Sequence, residues 1–195
     1  MTRFLKGLDV RTSESHPIRV DFTDMQPWAG RLGITFAPGK KNESYSWFRW
    51  ERDLDLDLDR MRAEYGIEVV VTLVEEDEME WMGIEELGDE VKRRGMEWLW
   101  FPIEDLGVPP GERFVEFLEL AGGVIERLEQ GRAAAVHCRG GLGRAGMVAA
   151  CLLALKGIKP EEAIRCVRRA RGEGAVEMPE QEEFVEEVAS VGLEG

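Results

Sequence analysis

Histidine and cysteine are scarce: the 195 residues hold two of the first and three of the second. The cysteines stand at 138, 151 and 166, in no metal-like spacing and in odd number, so neither a zinc site nor a complete disulfide framework is expected. That pattern suits a reducing cytoplasm and chemistry without a cofactor. No apolar run approaches the ~18 residues that a membrane helix needs, and the first residues lack the basic-then-apolar order of a secretory signal. Positive charge is also short. Lys and Arg number 25 against 39 Asp and Glu, a formal net charge of −14. Nucleic acid and anionic membrane surfaces are thereby disfavoured as bulk partners, since both would be repelled. A small anion held in a locally positive pocket is not excluded. Repeats, low-complexity tracts and flexible linkers are absent, so residues 1–195 are expected to form one domain. Within it, 1–30 is an N-terminal extension and about 31–190 is the core.

What is present reads as strands alternating with helices. Ile18 to Phe22 alternates like a half-buried strand, with Arg31 to Phe36 as its neighbour. Pro38-Gly39 opens a loop carrying Lys40 and Lys41; with Arg49 and Arg52 these form a basic island, read first as a solvated loop anchored by Tyr45, Trp47, Phe48 and Trp50, and second as a surface facing an anionic substrate group. Asp53 to Asp59 alternates strictly, but aspartate is depleted in strands and Gly66 stops the segment, so a helix with an acidic N-terminal end is expected. Ile67 to Val74 is a buried strand by its β-branched run, followed by an acidic helical stretch from about 78 to 94, broken near Gly83. Trp98 to Ile103 is the next strand, and it runs into a loop, Glu104 to Pro110. A periodic helix (113–130), a strand (133–137) and helices over 145–156, 160–170 and 180–190 complete the chain. This order indicates an α/β fold, a central mostly parallel sheet flanked by helices on both faces.

The chemistry concentrates at residues 137–144, His-Cys-Arg-Gly-Gly-Leu-Gly-Arg, between a short apolar strand and a long apolar helix. A glycine-rich turn into a helix N-terminus gathers backbone N–H groups on one point and makes an anion site. Arg139, Gly140, Gly141, Leu142, Gly143 and Arg144 are the expected phosphate-binding residues, the guanidinium of Arg144 matching two oxygens at once. Cys138, with its thiolate favoured by the helix dipole and the arginine, is the candidate nucleophile. A leaving oxygen needs a proton, and in open sheets the ligand lies outside the carboxyl ends of the strands. Asp105 follows such an end and is preferred to Glu104 as that acid. His137 is expected to order the loop rather than act as a base, and Cys151 and Cys166 to be core residues.

His137, Cys138, Gly141 and Arg144 make up the His-Cys-x-x-Gly-x-x-Arg signature, so the chain resembles the cysteine-dependent protein tyrosine phosphatases. Within them it is most similar to the dual-specificity branch, in particular to the cyclin-dependent-kinase-associated phosphatase (inhibitor 3) family. That likeness also includes Gly140 to Arg144 with Val148 to Leu153 behind it. Leu32-Gly33, Pro38-Gly39, Pro102 to Asp105 and Arg171 to Ala175 extend it over roughly 30–190. The resemblance implies a single phosphatase domain acting on phosphotyrosine, and on phosphoserine or phosphothreonine, through a cysteinyl-phosphate. A phosphoprotein or phosphopeptide is the implied partner, with a kinase partner implied by the resemblance alone. Cys138 is then the nucleophile, Arg144 the phosphate-binding arginine, Asp105 the general acid and Gln181 a residue that helps place water.

Position 145 departs from the pattern: it is alanine where most members carry serine or threonine, whose hydroxyl helps the thiolate leave. Two alternatives stand beside the leading reading, the second of them because of Ala145. One is a phosphoinositide or inositol phosphate phosphatase, disfavoured because Arg139 is the lone cation between Cys138 and Arg144. The other is a phosphate-binding module with low turnover. Arsenate reduction or sulfur transfer is opposed by Arg144 and the acid loop.

Overall fold

The computed structural model describes residues 9–41 and 48–192. Its centre is a five-stranded sheet in the order β2 (Asp21–Phe22), β3 (Arg31–Phe36), β7 (Ala133–Cys138), β5 (Ile67–Thr72) and β6 (Glu97–Trp100). All neighbours pair in parallel except the antiparallel β2 edge. Every residue of β7 is buried, as a strand covered on both faces requires. A separate parallel pair, β1 (Asp9–Arg11) with β4 (Phe48–Trp50), was not legible in the sequence.

Two groups of helices flank the sheet. α1 (Leu54–Ala63) packs on β5, and α3 (Leu87–Arg93) packs on β6 and on α1; the short α2 (Glu76–Met82) precedes α3. α4 (Phe114–Glu129) and α5 (Gly143–Leu155) pack on β7. α6 (Pro160–Arg171) and α7 (Pro179–Gly192) are layered on α5, which is buried almost throughout. Among the described residues no helix is long and apolar enough to cross a membrane.

The expected elements are present; β2, β5 and β6 are shorter than expected, β3 has its expected bounds and β7 reaches one residue further, to Cys138. Of the stretch 18–22 only Asp21–Phe22 is ladder-bonded. β6 stops at Trp100, although Phe101 and Ile103 still donate to Thr72 O and Leu73 O and so carry the chain on beside β5. The acidic stretch after β5 breaks at Gly83, whose φ of +64° ends α2. Asp53 caps α1 by accepting from Leu56 N at 2.9 Å.

The basic island divides: Lys41 and Arg49 are exposed, as a solvated loop requires, but Arg52 and Lys40 are not. Arg52 is 1% exposed and forks onto Asp57, both N–O distances being 2.7 Å. Removing either partner would strand a buried charge, a loss of about 3–5 kcal/mol. Lys40 is 6% exposed. The reason is aromatic: Phe36 and Trp50 stack at 5.5 Å, and both cations lie over these rings. Phe48 meets Trp50 edge-on, as an anchor should, while Tyr45 and Trp47 lie outside the described residues.

Candidate active site

Strand β7 delivers Cys138 at its end and α5 begins at Gly143, so residues 139–142 form the turn between them. Gly141 has φ +72°, and a Cβ there would come within 2.4 Å of Thr35 O on β3; only glycine fits. Its N–H donates to Cys138 Sγ at 3.3 Å. The carbonyls of this turn face outward. That of Arg139 accepts from Lys40 Nζ at 3.0 Å, those of Gly140 and Gly141 from Arg171 at 3.0 and 2.9 Å. Because each peptide unit is planar, with C=O and N–H on opposite sides, the amides of Gly140, Gly141 and Leu142 face the other way. Leu142 O, past these units, accepts from Gly146 N within α5. The result is a cradle of N–H groups over Cys138, at the positive end of α5.

Arg144 is 1% exposed, and its hydrogen bonds are distributed around the guanidinium. Nη1 and Nη2 fork onto Glu78 at 2.5 and 2.8 Å, Nη1 also donates to Ile103 O at 2.8 Å, and Nη2 to Asp105 Oδ1 at 2.9 Å. Burial pushes the Arg144 pKa down, but Glu78, Cys138 and Asp105 outweigh it and hold it above the ordinary value. Burial likewise works to raise the pKa of Glu78; the Arg144 hydrogen bond and a backbone hydrogen bond prevail and lower it. Glu78 comes from the first turn of α2, where it also accepts from Glu75 N at 3.0 Å. As a sequence it reads as a capping residue; nothing local reveals its arginine partner.

Asp105 is brought to the cradle and Glu104 is not. Asp105 contacts both Arg144 and, at 2.7 Å, Arg139, whereas Glu104 points to solvent. Arg139 in turn stands 5.9 Å from the ring centroid of the exposed Trp81. Ala145 is fully buried on the first turn of α5.

His137 is buried, with Nε2 2.8 Å from Thr72 Oγ1, a hydroxyl that also accepts from Trp98 Nε1 at 2.8 Å. Burial pushes its pKa down to about 4. The ring is thus neutral and bonded to Thr72 of β5, and its Nδ1 has no hydrogen-bond partner among the described residues. Cys166 donates to Asp24 at 2.9 Å, and its pKa is raised to about 11 by burial and by that carboxylate. Burial raises that of Cys151 further.

Gln181 is not on a solvated helix face. It is 0% exposed, and its Nε2 donates to Leu106 O and Gly107 O at 3.3 and 3.2 Å. Its Oε1 accepts from Glu177 N and Met178 N at 3.0 and 3.4 Å. The amide is therefore engaged with the acid loop. Glu78 is the site residue that the sequence did not single out; Lys40 and Arg171 were named there without their bonds to the loop carbonyls.

Known proteins resemble this arrangement. The family model for the Swiss Army Knife protein DSP-PTPase phosphatase domain matches residues 51–185. Cyclin-dependent kinase inhibitor 3 of Rattus norvegicus is 30% identical over 158 residues, 80% of this chain and 70% of that protein. The Homo sapiens protein of the same name has the same identity and coverage. Among solved structures, kinase associated phosphatase with serine in place of its catalytic-site cysteine superposes at a TM-score of 0.79. It is 25% identical, over 92% of this chain and 98% of that one. Tk-PTP in its active form gives 0.64 at 32% identity, over 83% and 92%. A cysteine beneath a ring of amides, an arginine beside it and a matching family model over most of the chain lead to one conclusion: this chain belongs to the DSP-PTPase family and is a phosphatase of the protein tyrosine and dual-specificity class.

Proposed function

We propose that the protein hydrolyses phosphotyrosine, phosphoserine and phosphothreonine in protein substrates, with Cys138 as nucleophile, Arg144 as phosphate ligand and Asp105 as general acid. The single observation that carries this reading is the convergence on one cradle of Cys138 Sγ and Arg144, from the loop 138–144, with Asp105, from the loop after β6.

The thiolate attacks phosphorus while the cradle amides and the side edge of Arg144, its Nε–H and Nη2–H, take up the charge on the phosphoryl oxygens. Asp105, anchored at the rim, gives its proton to the departing ester oxygen, which leaves as the substrate's free hydroxyl. The product is a cysteinyl-phosphate, which splits the reaction into two displacements. Water then attacks the same phosphorus from the leaving-group side. Asp105 is now ionised and removes the water's proton, and thiolate and inorganic phosphate are released. His137, neutral and bonded into the sheet, takes no part in proton transfer.

The names of the relatives connect them with cyclin-dependent kinases. The corresponding partner here is a phosphorylated protein, with a kinase as the first one to try. The acidic surface and the catalytic thiol suit a reducing cytoplasm.

Hydrolysis of p-nitrophenyl phosphate tests the assignment. Cys138→Ser abolishes turnover, and Asp105→Asn lowers kcat by about 10²- to 10³-fold, the range of a lost general acid. Full activity in Cys138→Ser overturns it.

A further inference from the structure

Lys40 is an anomaly of placement. It follows Gly39, which has φ +73°, just past the end of β3. The register that sets Phe36 opposite Cys138 brings this turn against the phosphate loop. The ammonium is almost wholly buried, 3.0 Å from Arg139 O and about 5 Å from the Phe36 and Trp50 ring centroids. Among the described residues no carboxylate forms an ion pair with it. The charged groups around it are Cys138 and Arg139 from the loop, Arg52 beside α1 and Arg171 from α6. His137 also senses its charge. Asp57 and Asp21 neutralise Arg52 and Arg171, respectively, rather than Lys40. Burial lowers the Lys40 pKa to about 7; Cys138 acts to raise it, and Arg52, Arg171 and Arg139 lower it further.

A buried cation without a carboxylate costs stability, and a methionine would fill the same space without that cost. The position of the ammonium on the outer face of the cradle gives the charge a purpose. Holding the Arg139 carbonyl outward fixes the adjoining Gly140 N–H inward, through one rigid peptide unit. Arg171 does the same for the next two units, but shares its charge with Asp21 at 2.6 Å.

We propose that Lys40 is a positioning residue of the phosphate loop, an ammonium that fixes the inward polarity of the amides and adds the charge by which a phosphoryl dianion is held. Anion affinity then declines as this ammonium gives up its proton. The inference rests on residues 138–144 being the phosphate site.

Sulfate binding, measured calorimetrically in a Cys138→Ser background, tests it without turnover. The serine removes the nucleophile, and sulfate itself does not titrate between about pH 6 and about pH 8.5. The parent should lose about tenfold in affinity across that range, the effect of one nearby charge. Lys40→Met should bind about tenfold more weakly at the lower pH and show no slope. Lys40→Arg, charged throughout, should bind well at both ends. Lys40→Met binding as tightly as its parent at about pH 6, or Lys40→Arg retaining the parent's slope, overturns the role of Lys40 alone. Sulfate binding untouched by Arg144→Lys overturns the phosphate site as well.

Discussion

Asp105 bridges two arginines: its Oδ1 lies 2.9 Å from Nη2 of Arg144 and its Oδ2 2.7 Å from Nη2 of Arg139. The arrangement has two consequences. It holds the acid at the rim of the cradle, where a leaving oxygen would be. It also occupies the one outer Nη2–H of Arg144 not directed at Glu78, which lies on the same edge as Nε–H. A bidentate phosphate uses that edge, so substrate and Asp105 compete for one hydrogen.

The competition separates affinity from turnover. Asp105→Asn, assayed by calorimetry with sulfate, should bind the anion up to about fivefold more tightly, because a half-exposed ion pair contributes no more than ~1 kcal/mol. The same variant should be slow on p-nitrophenyl phosphate. Unchanged or weaker sulfate binding would show that Asp105 does not guard the arginine.

Gln181 fastens the acid loop from the other side. Leu106, next to Asp105, has φ +64°, a left-handed conformation that a leucine adopts only when held. The Gln181 amide accounts for the hold, donating to the carbonyls of Leu106 and Gly107. Gln181→Ala should lower kcat by about tenfold, the loss of one to two buried hydrogen bonds. Because the residue acts through Asp105, the loss should vanish in an Asp105→Asn background. Independent, additive losses in the double variant would restore the view that Gln181 places water directly.

The contrast between Cys138 and Lys40 shows what was legible in the sequence. Cys138, Gly141 and Arg144 lie within seven consecutive residues, so local spacing carries their geometry, and the flanking apolar runs set the strand and helix around them. Asp105 was readable because strand ends of a parallel sheet share one edge. The contacts of Lys40, Glu78 and Arg171 were not, because their partners lie 99, 66 and 30 residues away and are met only through strand register and helix packing. A buried lysine and an exposed one look alike in a sequence. The same holds for Arg52 and Asp57, whose pairing is local but whose burial depends on Phe36 and Trp50.

Ala145 bears on the second displacement. With the side chain fully buried at the start of α5, no hydroxyl of its own assists Cys138 as it leaves. Ala145→Ser adds a donor worth ~1 kcal/mol. It should raise steady-state turnover by about fivefold, while a pre-steady-state burst in the parent, reporting accumulated cysteinyl-phosphate, should shrink. An unchanged or lower rate, with Tm preserved, would falsify this account.

His137 sets the pH response of the fold. Its pKa is about 4 in the folded chain against 6.5 in an exposed histidine. Between those values the unfolded chain takes up a proton that the buried ring refuses. Stability should therefore be full above about pH 6.5 and fall as the pH drops towards about 4, by on the order of 3 kcal/mol. Glu97 and Asp24, each held at about 2, Glu97 chiefly by hydrogen bonds from Arg127 and Arg132 and Asp24 by one from Arg169, contribute losses lower down, as the pH falls below the ordinary carboxylate range. The histidine therefore dominates the window between about pH 6.5 and 5. Urea unfolding of the parent should show about 2 kcal/mol less stability at about pH 5 than at about pH 7. His137→Asn, which keeps a partner for Thr72 but does not titrate, should show almost none of that difference. An equal slope in both proteins would place the acid sensitivity elsewhere.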